Sequence, residues 1–102
     1  MKFDKMNHDF GNVTADTDNK TYFTVTNTGN NPLIIESVKA SCGCTTPTKP
    51  DKPIMPGKSD KIEVVFHPKE NQLKEQKKTV RVLANTTPAE LVLNVSAFVK
   101  KK

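Results

Sequence analysis

"KTVRVLANTTPAELVLNVSAFV", residues 78–99, holds two alternating stretches separated by a turn. In the first, Val80, Val82 and Ala84 share one face, and Arg81 and Leu83 point the other way. In the second, Leu91, Leu93, Val95, Ala97 and Val99 fall together, with Asn94 and Ser96 facing away. Successive side chains of a strand project to opposite sides, so period-two alternation marks a strand with one buried face. Between the two lies "NTTPAE" (85–90), whose Asn and Pro favour a turn.

The same pattern recurs upstream. "TYFTVTN" (21–27) directs Phe23 and Val25 to one side, and "KIEVVFH" (61–67) directs Ile62, Val64 and Phe66 inward. "PLIIESVKA" (32–40) starts as a strand, but Leu33, Ile35 and Val38 lose the period after Glu36, which predicts a bulge there. A weaker strand is expected near Phe10–Val13. "NTGNNP" (27–32), "MPGKSD" (55–60) and "HPKENQ" (67–72) are turn signals between these stretches. No amphipathic helix of useful length is visible, and the segments are rich in Val, Ile, Thr and Phe, which suit a pleated surface. Short strands at this spacing predict an all-β protein, an immunoglobulin-like β-sandwich of about seven antiparallel strands. It lacks the antibody hallmarks: there is no Trp, and both cysteines lie in one loop.

At 102 residues the chain suits one domain, with a core from about residue 8 to 99 and a solvated tail at 100–102. No repeat and no second domain is visible. Hydrophobic residues make up 34% and mean hydropathy is −0.58, so the surface must be strongly polar, yet the apolar residues cluster in short blocks as a folded chain requires. The net charge of +5 comes from scattered lysines with Arg81 as the lone arginine, and aromatics are 6%. Nucleic-acid readers cluster arginine and interleave aromatics, so no nucleic-acid partner is expected. No apolar run reaches the length of a membrane span. The opening "MKFDKMNHDFG" lacks the apolar core of a signal peptide, which leaves both a cytoplasmic protein and a mature exported domain open.

"FGNV" (10–13) followed by "FTVTNTGNNPLIIESVKASCGCTTPTKPDKPIMPGKSDKIEVVFHP" (23–68) resembles the bacterial DUF1573 family. In that family a strand and an N-T-G-x-x-P-L turn lead into S-C-G-C-T, then P-I-x-P-G and a further strand. The resemblance runs from about Asp9 to Pro68. It implies a sandwich similar to the ASH/MSP/HYDIN-like domains, in an exported protein of the periplasm or cell surface, in many members a lipoprotein. It implies no established activity.

"SCGCTTPTKPDKPIMPG" (41–57) carries both cysteines and four of the seven prolines, so any site chemistry should lie here. Gly43 lets the backbone between Cys42 and Cys44 turn sharply. A local disulfide is one reading; its closed loop is tiny and stabilises little. A redox-active pair is a second, but a catalytic thiol wants a helix N-terminus or nearby cation, and no helix follows Cys44. Metal is a third: two thiolates suit Cu(I), whereas structural zinc needs four ligands, and Cys42, Cys44, His8 and His67 are the whole inventory. The favoured reading is structural, with cysteine packing as a small apolar residue at a strand end. No cofactor and no metal are expected.

Other constellations fall short. Ser41, His67 and the aspartates come without a nucleophile elbow or oxyanion pattern. Asp16, Asp18 and Asp51 do not make a calcium loop. "TKPDKP" (48–53) reads as an extended crossing at a sheet edge, where proline is tolerated. The expectation is a non-catalytic protein-interaction or structural module. Its partner is another protein or a neighbouring domain, and the expected contact loop is Thr45, Pro47, Pro50, Pro53, Ile54, Met55 and Pro56. On that reading, changing Ile54 and Met55 to Ser abolishes partner capture and leaves the fold intact.

Overall fold

The computed structural model describes residues 1–86 and 89–101. Among the described residues there are eight strands: β1 (Lys2–Phe3), β2 (Asn7–Thr14), β3 (Asn19–Thr26), β4 (Ile35–Ala40), β5 (Thr45–Thr48), β6 (Ser59–Phe66), β7 (Lys74–Ala84) and β8 (Glu90–Lys100). They form two four-stranded sheets, ordered β1-β3-β6-β5 and β2-β8-β7-β4. The body is elongated, 48 × 20 × 18 Å.

The alternation read from the sequence is the alternation buried. Phe23, Val25, Ile62 and Val64 line the inner face of the first sheet, and Val80, Val82, Leu93 and Val95 that of the second, all buried. Phe23 stands opposite Ile62, and Val80 opposite Leu93, so cross-strand pairs fill the space between the sheets. A second apolar cluster of Val13, Ala15, Cys44, Phe66, Ala97 and Val99 closes one end of the molecule. The expected irregularity after Glu36 is present: the β4–β7 register shifts between Ile35 and Ser37.

Several expectations need correction. There are eight strands rather than about seven, and not all pairs are antiparallel: β2 runs parallel to β8. The reason lies in the first fourteen residues. β1 pairs antiparallel with β3, the chain crosses between sheets at residues 4–6, and β2 continues into the other sheet. Asp4 N–H bonds Thr24 O on one side of this crossing, and Asn94 N–H bonds Met6 O on the other. Packing therefore begins before residue 8, with Met1, Phe3 and Met6 against the core. β8 extends to Lys100, which belongs to the strand and not to a tail; Lys102 lies outside the described residues, as do Thr87 and Pro88 of the 85–90 turn. β5 was hidden in the sequence because "TTPT" contains Pro47, which an edge strand accommodates when its missing N–H faces away from the ladder.

The "NTG" turn is tied down by Asn27, which is buried. Its side-chain amide donates to Asn31 O at 2.7 Å and Ile54 O at 2.8 Å, and its Oδ1 accepts from Gly29 N. Its backbone N donates to Lys58 O, and its O accepts from Gly57 N, both at 2.9 Å. Gly57 takes φ +79°, a conformation that glycine adopts without a side-chain clash. One residue thus bolts the 27–31 turn to the 54–58 loop. Asn27→Ala is expected to cost about 2 kcal/mol, because hydrogen bonds made in a buried site are lost together; urea unfolding measures it, and a loss below about 0.5 kcal/mol, the range of an ordinary surface change, would refute the role.

Candidate functional site

The cysteine pair sits at the corner where β4 hands over to β5. Ser41 prolongs the β4–β7 ladder: its N–H donates to Thr79 O at 2.9 Å and its Oγ accepts from Thr79 N at 3.0 Å. The chain then turns, closed by Thr45 N–H to Cys42 O at 3.1 Å. Cys42 and Cys44 are disulfide-bonded across this turn, with Cα atoms 5.2 Å apart. Of the readings open from the sequence, the structure holds the local disulfide. Gly43 lies within this turn, as expected, and makes it without a left-handed φ. A Cβ built on Gly43 would meet nothing within 4 Å beyond its two chain neighbours.

The two sulfurs differ in surroundings. Cys44 is buried at 4% exposure among Val13, Ala15, Phe66, Ala97 and Val99, with the Thr45 hydroxyl 3.7 Å from its Sγ. Its carbonyl accepts from His67 N at 2.7 Å, which pins the corner to the end of β6. Cys42 is half-buried at the edge of that cluster. Its Sγ accepts two N–H groups, Cys44 N at 3.2 Å and Gln72 Nε2 at 3.5 Å. Gln72 is itself held, its Oε1 accepting from Lys69 N at 2.9 Å.

The four metal candidates do not converge. The His67 ring engages the aspartates instead: Nδ1 donates to Asp18 Oδ1 at 2.7 Å, and Asp16 lies 4.0 Å from Nε2. His8 lies on β2, where its Nδ1 accepts from Lys5 Nζ at 3.0 Å and its ring meets Phe10 edge-on at 4.7 Å. Burial first, and then the Lys5 ammonium, hold the His8 pKa below the ordinary histidine value, with Asp9 opposing. The cysteines are bonded to each other. Among the described residues, no group of three or more His, Cys, Asp or Glu side chains is placed to hold an ion.

The expected contact loop does not act as one surface. From Thr45 the chain runs antiparallel to β6, so the disulfide lies toward the His67 end and Met55 toward the Asn27 end of the long body. Thr45 and Ile54 are buried, at 4% and 3%, and cannot meet a partner. Pro47 and Pro50 are half-buried along the edge; Pro53, Met55 and Pro56 are exposed. Ile54 is buried because it forms a two-way bridge with Leu33: Leu33 N donates to Ile54 O, and Ile54 N to Leu33 O, both at 2.8 Å.

That bridge sets Pro32 and Ile34, which were not expected at the site, beside Pro53 and Met55, which were. With Leu33 and Ile54 facing inward, their neighbours face out, and Pro32, Ile34, Pro53 and Met55 are all exposed. Ile34 is 46% and Met55 53% exposed. The signal for Ile34 lay in "LII" (33–35): a strand that buries the first and third of three apolar residues must present the second outward.

No helix among the described residues is long and apolar enough to cross a membrane. No curated protein matches the chain. Among solved structures, a protein of unknown function from Porphyromonas gingivalis W83 superposes with TM-score 0.82 at 20% identity, over 91% of this chain and 44% of that one. The chain therefore spans less than half of that protein's length. The Vibrio cholerae VesB protease structure contains a similar region, with TM-score 0.70 and 12% identity over 97% of this chain and 31% of that one. The ASH/PapD-like domain 7 of human CEP192 matches with TM-score 0.66 and 10% identity, over 99% of this chain and 85% of that one. At these identities the likeness is one of fold: an all-β sandwich of immunoglobulin-like, ASH/PapD-like type. A model described as "Protein of unknown function (DUF1573)" matches residues 1–99, which takes in both sheets, the Asn27 turn and the cysteine corner, and the chain belongs to that family.

Proposed function

We propose that this domain is a non-catalytic protein-interaction module of an exported bacterial protein, and that it docks through the strip Pro32, Ile34, Pro53 and Met55. The observation that carries this reading is the Leu33–Ile54 bridge, which presents four apolar side chains outward from two chain segments. Docking by strand addition is disfavoured because each edge is blunted: β1 has two residues, β2 shifts register around Gly11, β4 shifts between Ile35 and Ser37, and β5 contains Pro47. The exposed Asp51, Lys52, Lys58 and Asp60 flank Met55 in the chain, so the matching surface is a protein or neighbouring domain with an apolar centre and a rim of mixed charge. A disulfide suits an oxidising compartment, which supports export.

Site-specific photo-crosslinking in the native host tests the proposal. A crosslinker at Met55 is expected to yield a discrete protein adduct that Ile34→Asp abolishes, whereas one at Tyr22, exposed on the outer face of β3, yields none. The melting temperature of the Ile34→Asp protein checks that it remains folded. Equal adducts from the two positions, or an adduct at Met55 indifferent to Ile34→Asp, would overturn it.

A further inference from the structure

At the opposite end of the molecule from the proposed docking strip, we propose that the Cys42–Cys44 disulfide is a thiol-exchange site, with Cys42 as the sulfur that meets an external dithiol and Cys44 as its buried resolving partner. The inference is independent of the docking reading. Exchange requires the attacking thiolate to approach along the sulfur–sulfur axis. Cys44 is buried in the cluster with Val13, Ala97 and Val99, so an external thiolate does not reach its sulfur from solvent. Cys42 is half-exposed, and the space over its neighbour Gly43 is empty beyond the two cysteines.

The hydrogen bonds suit Cys42 as the attacking thiolate of the reverse step. Cys42 Sγ is met by the Cys44 N–H and the Gln72 amide, and N–H donors stabilise the thiolate over the thiol. The Lys69 N–H that grips Gln72 Oε1 fixes the amide so that its nitrogen faces the sulfur. This supplies locally what a helix N-terminus supplies in other thiol sites. The sequence alone could not show it, because Gln72 is thirty residues from Cys42 in the chain.

The step balances as follows. One thiolate of an external dithiol attacks Cys42 Sγ; the disulfide breaks, and its electron pair leaves on Cys44 Sγ, which takes a proton from water. The dithiol's second thiol, on losing its proton, attacks its own first sulfur in the mixed disulfide and expels the Cys42 thiolate toward Gln72 and Cys44 N–H. The dithiol is oxidised to a disulfide, and the cysteine pair gains two electrons. In reverse, the Cys42 thiolate attacks and Cys44 resolves. One dithiol is consumed per chain, so the exchange is stoichiometric.

Dithiothreitol is the probe. The folded protein, treated with dithiothreitol under native conditions and then with iodoacetamide, is expected to gain alkyl groups, Cys42 first. In single-cysteine variants, Cys42 in Cys44→Ser should alkylate at neutral pH roughly tenfold faster than Cys44 in Cys42→Ser, as its exposure and thiolate stabilisation require. Gln72→Glu, of the same shape but with a carboxylate in place of the donor, should move the pH profile of Cys42 alkylation upward. A disulfide that resists dithiothreitol until the protein is unfolded, a Cys44 that reacts as fast as Cys42, or a pH profile unmoved by Gln72→Glu would each overturn the assignment. The wild-type measurement stands even if a variant fails to fold.

Discussion

Ile54→Ser is expected to destabilise the domain by about 4 kcal/mol, whereas Met55→Ser changes stability by less than about 0.5 kcal/mol. The two residues are adjacent, and only burial separates them: 3% exposure against 53%. Truncating Ile54 empties a site in the core cluster that also holds Leu33, Ile35 and Val25. Serine adds a hydroxyl there that must find a partner. The backbone bridge to Leu33 survives in outline but loses the apolar contact beneath it. A domain of this size has about 5–15 kcal/mol in total, so the change takes a large share of it. Urea denaturation of the two variants measures the contrast, and similar midpoints would overturn the assignment of Ile54 to the core. The expectation that both serines leave the fold intact is corrected accordingly: a variant that tests docking must spare Ile54.

Phe66→Ala should cost about 4 kcal/mol by the same reasoning, since a buried ring is replaced by a methyl group and the surrounding atoms collapse only in part. Phe66 is 1% exposed, and its ring stacks on Phe10 with centroids 6.1 Å apart. It also underlies Cys44, and its backbone stands opposite Asn19 on one side and Thr45 on the other. The loss should therefore have a local signature besides the global one. After reduction, Cys44 should alkylate faster in Phe66→Ala than in the wild type at a denaturant concentration where both remain folded. Phe66→Leu, which refills much of the volume, should recover most of the stability. A Phe66→Ala protein as stable as the wild type would mean that this end of the sandwich is not packed on Phe66.

The cysteine corner and the proposed docking strip were legible to different degrees. "SCGC" marked its own place, but a local disulfide, a redox pair, a metal site and simple packing all stayed open there. The sulfur assignment was not legible, because it depends on Gln72 and on the apolar floor of Val13, Ala97 and Val99, drawn from three other parts of the chain. The contact loop was read as one surface because its residues are consecutive. An extended segment instead carries successive residues about 3.3 Å apart along the body, so the ends of the stretch from Thr45 to Pro56 cannot share one small patch. Alternation then buries Ile54 while it exposes Met55.

The class of fold and the inward faces of the long strands were readable from the residues, because period-two alternation is a local property and one slipped residue would turn every apolar side chain to water. Val80, Val82, Leu93 and Val95 were readable for that reason. The sequence also marked the break after Glu36, where two apolar positions fall out of phase. Tertiary structure alone decided the sheet crossing at residues 4–6, the parallel pairing of β2 with β8, the edge strand β5 and the Leu33–Ile54 bridge. Each of these is a choice of partner between distant segments. Alternation says which face of a strand is buried, but not which strand lies beside it or in which direction it runs, and that choice is made by the packing of the two sheets as a whole.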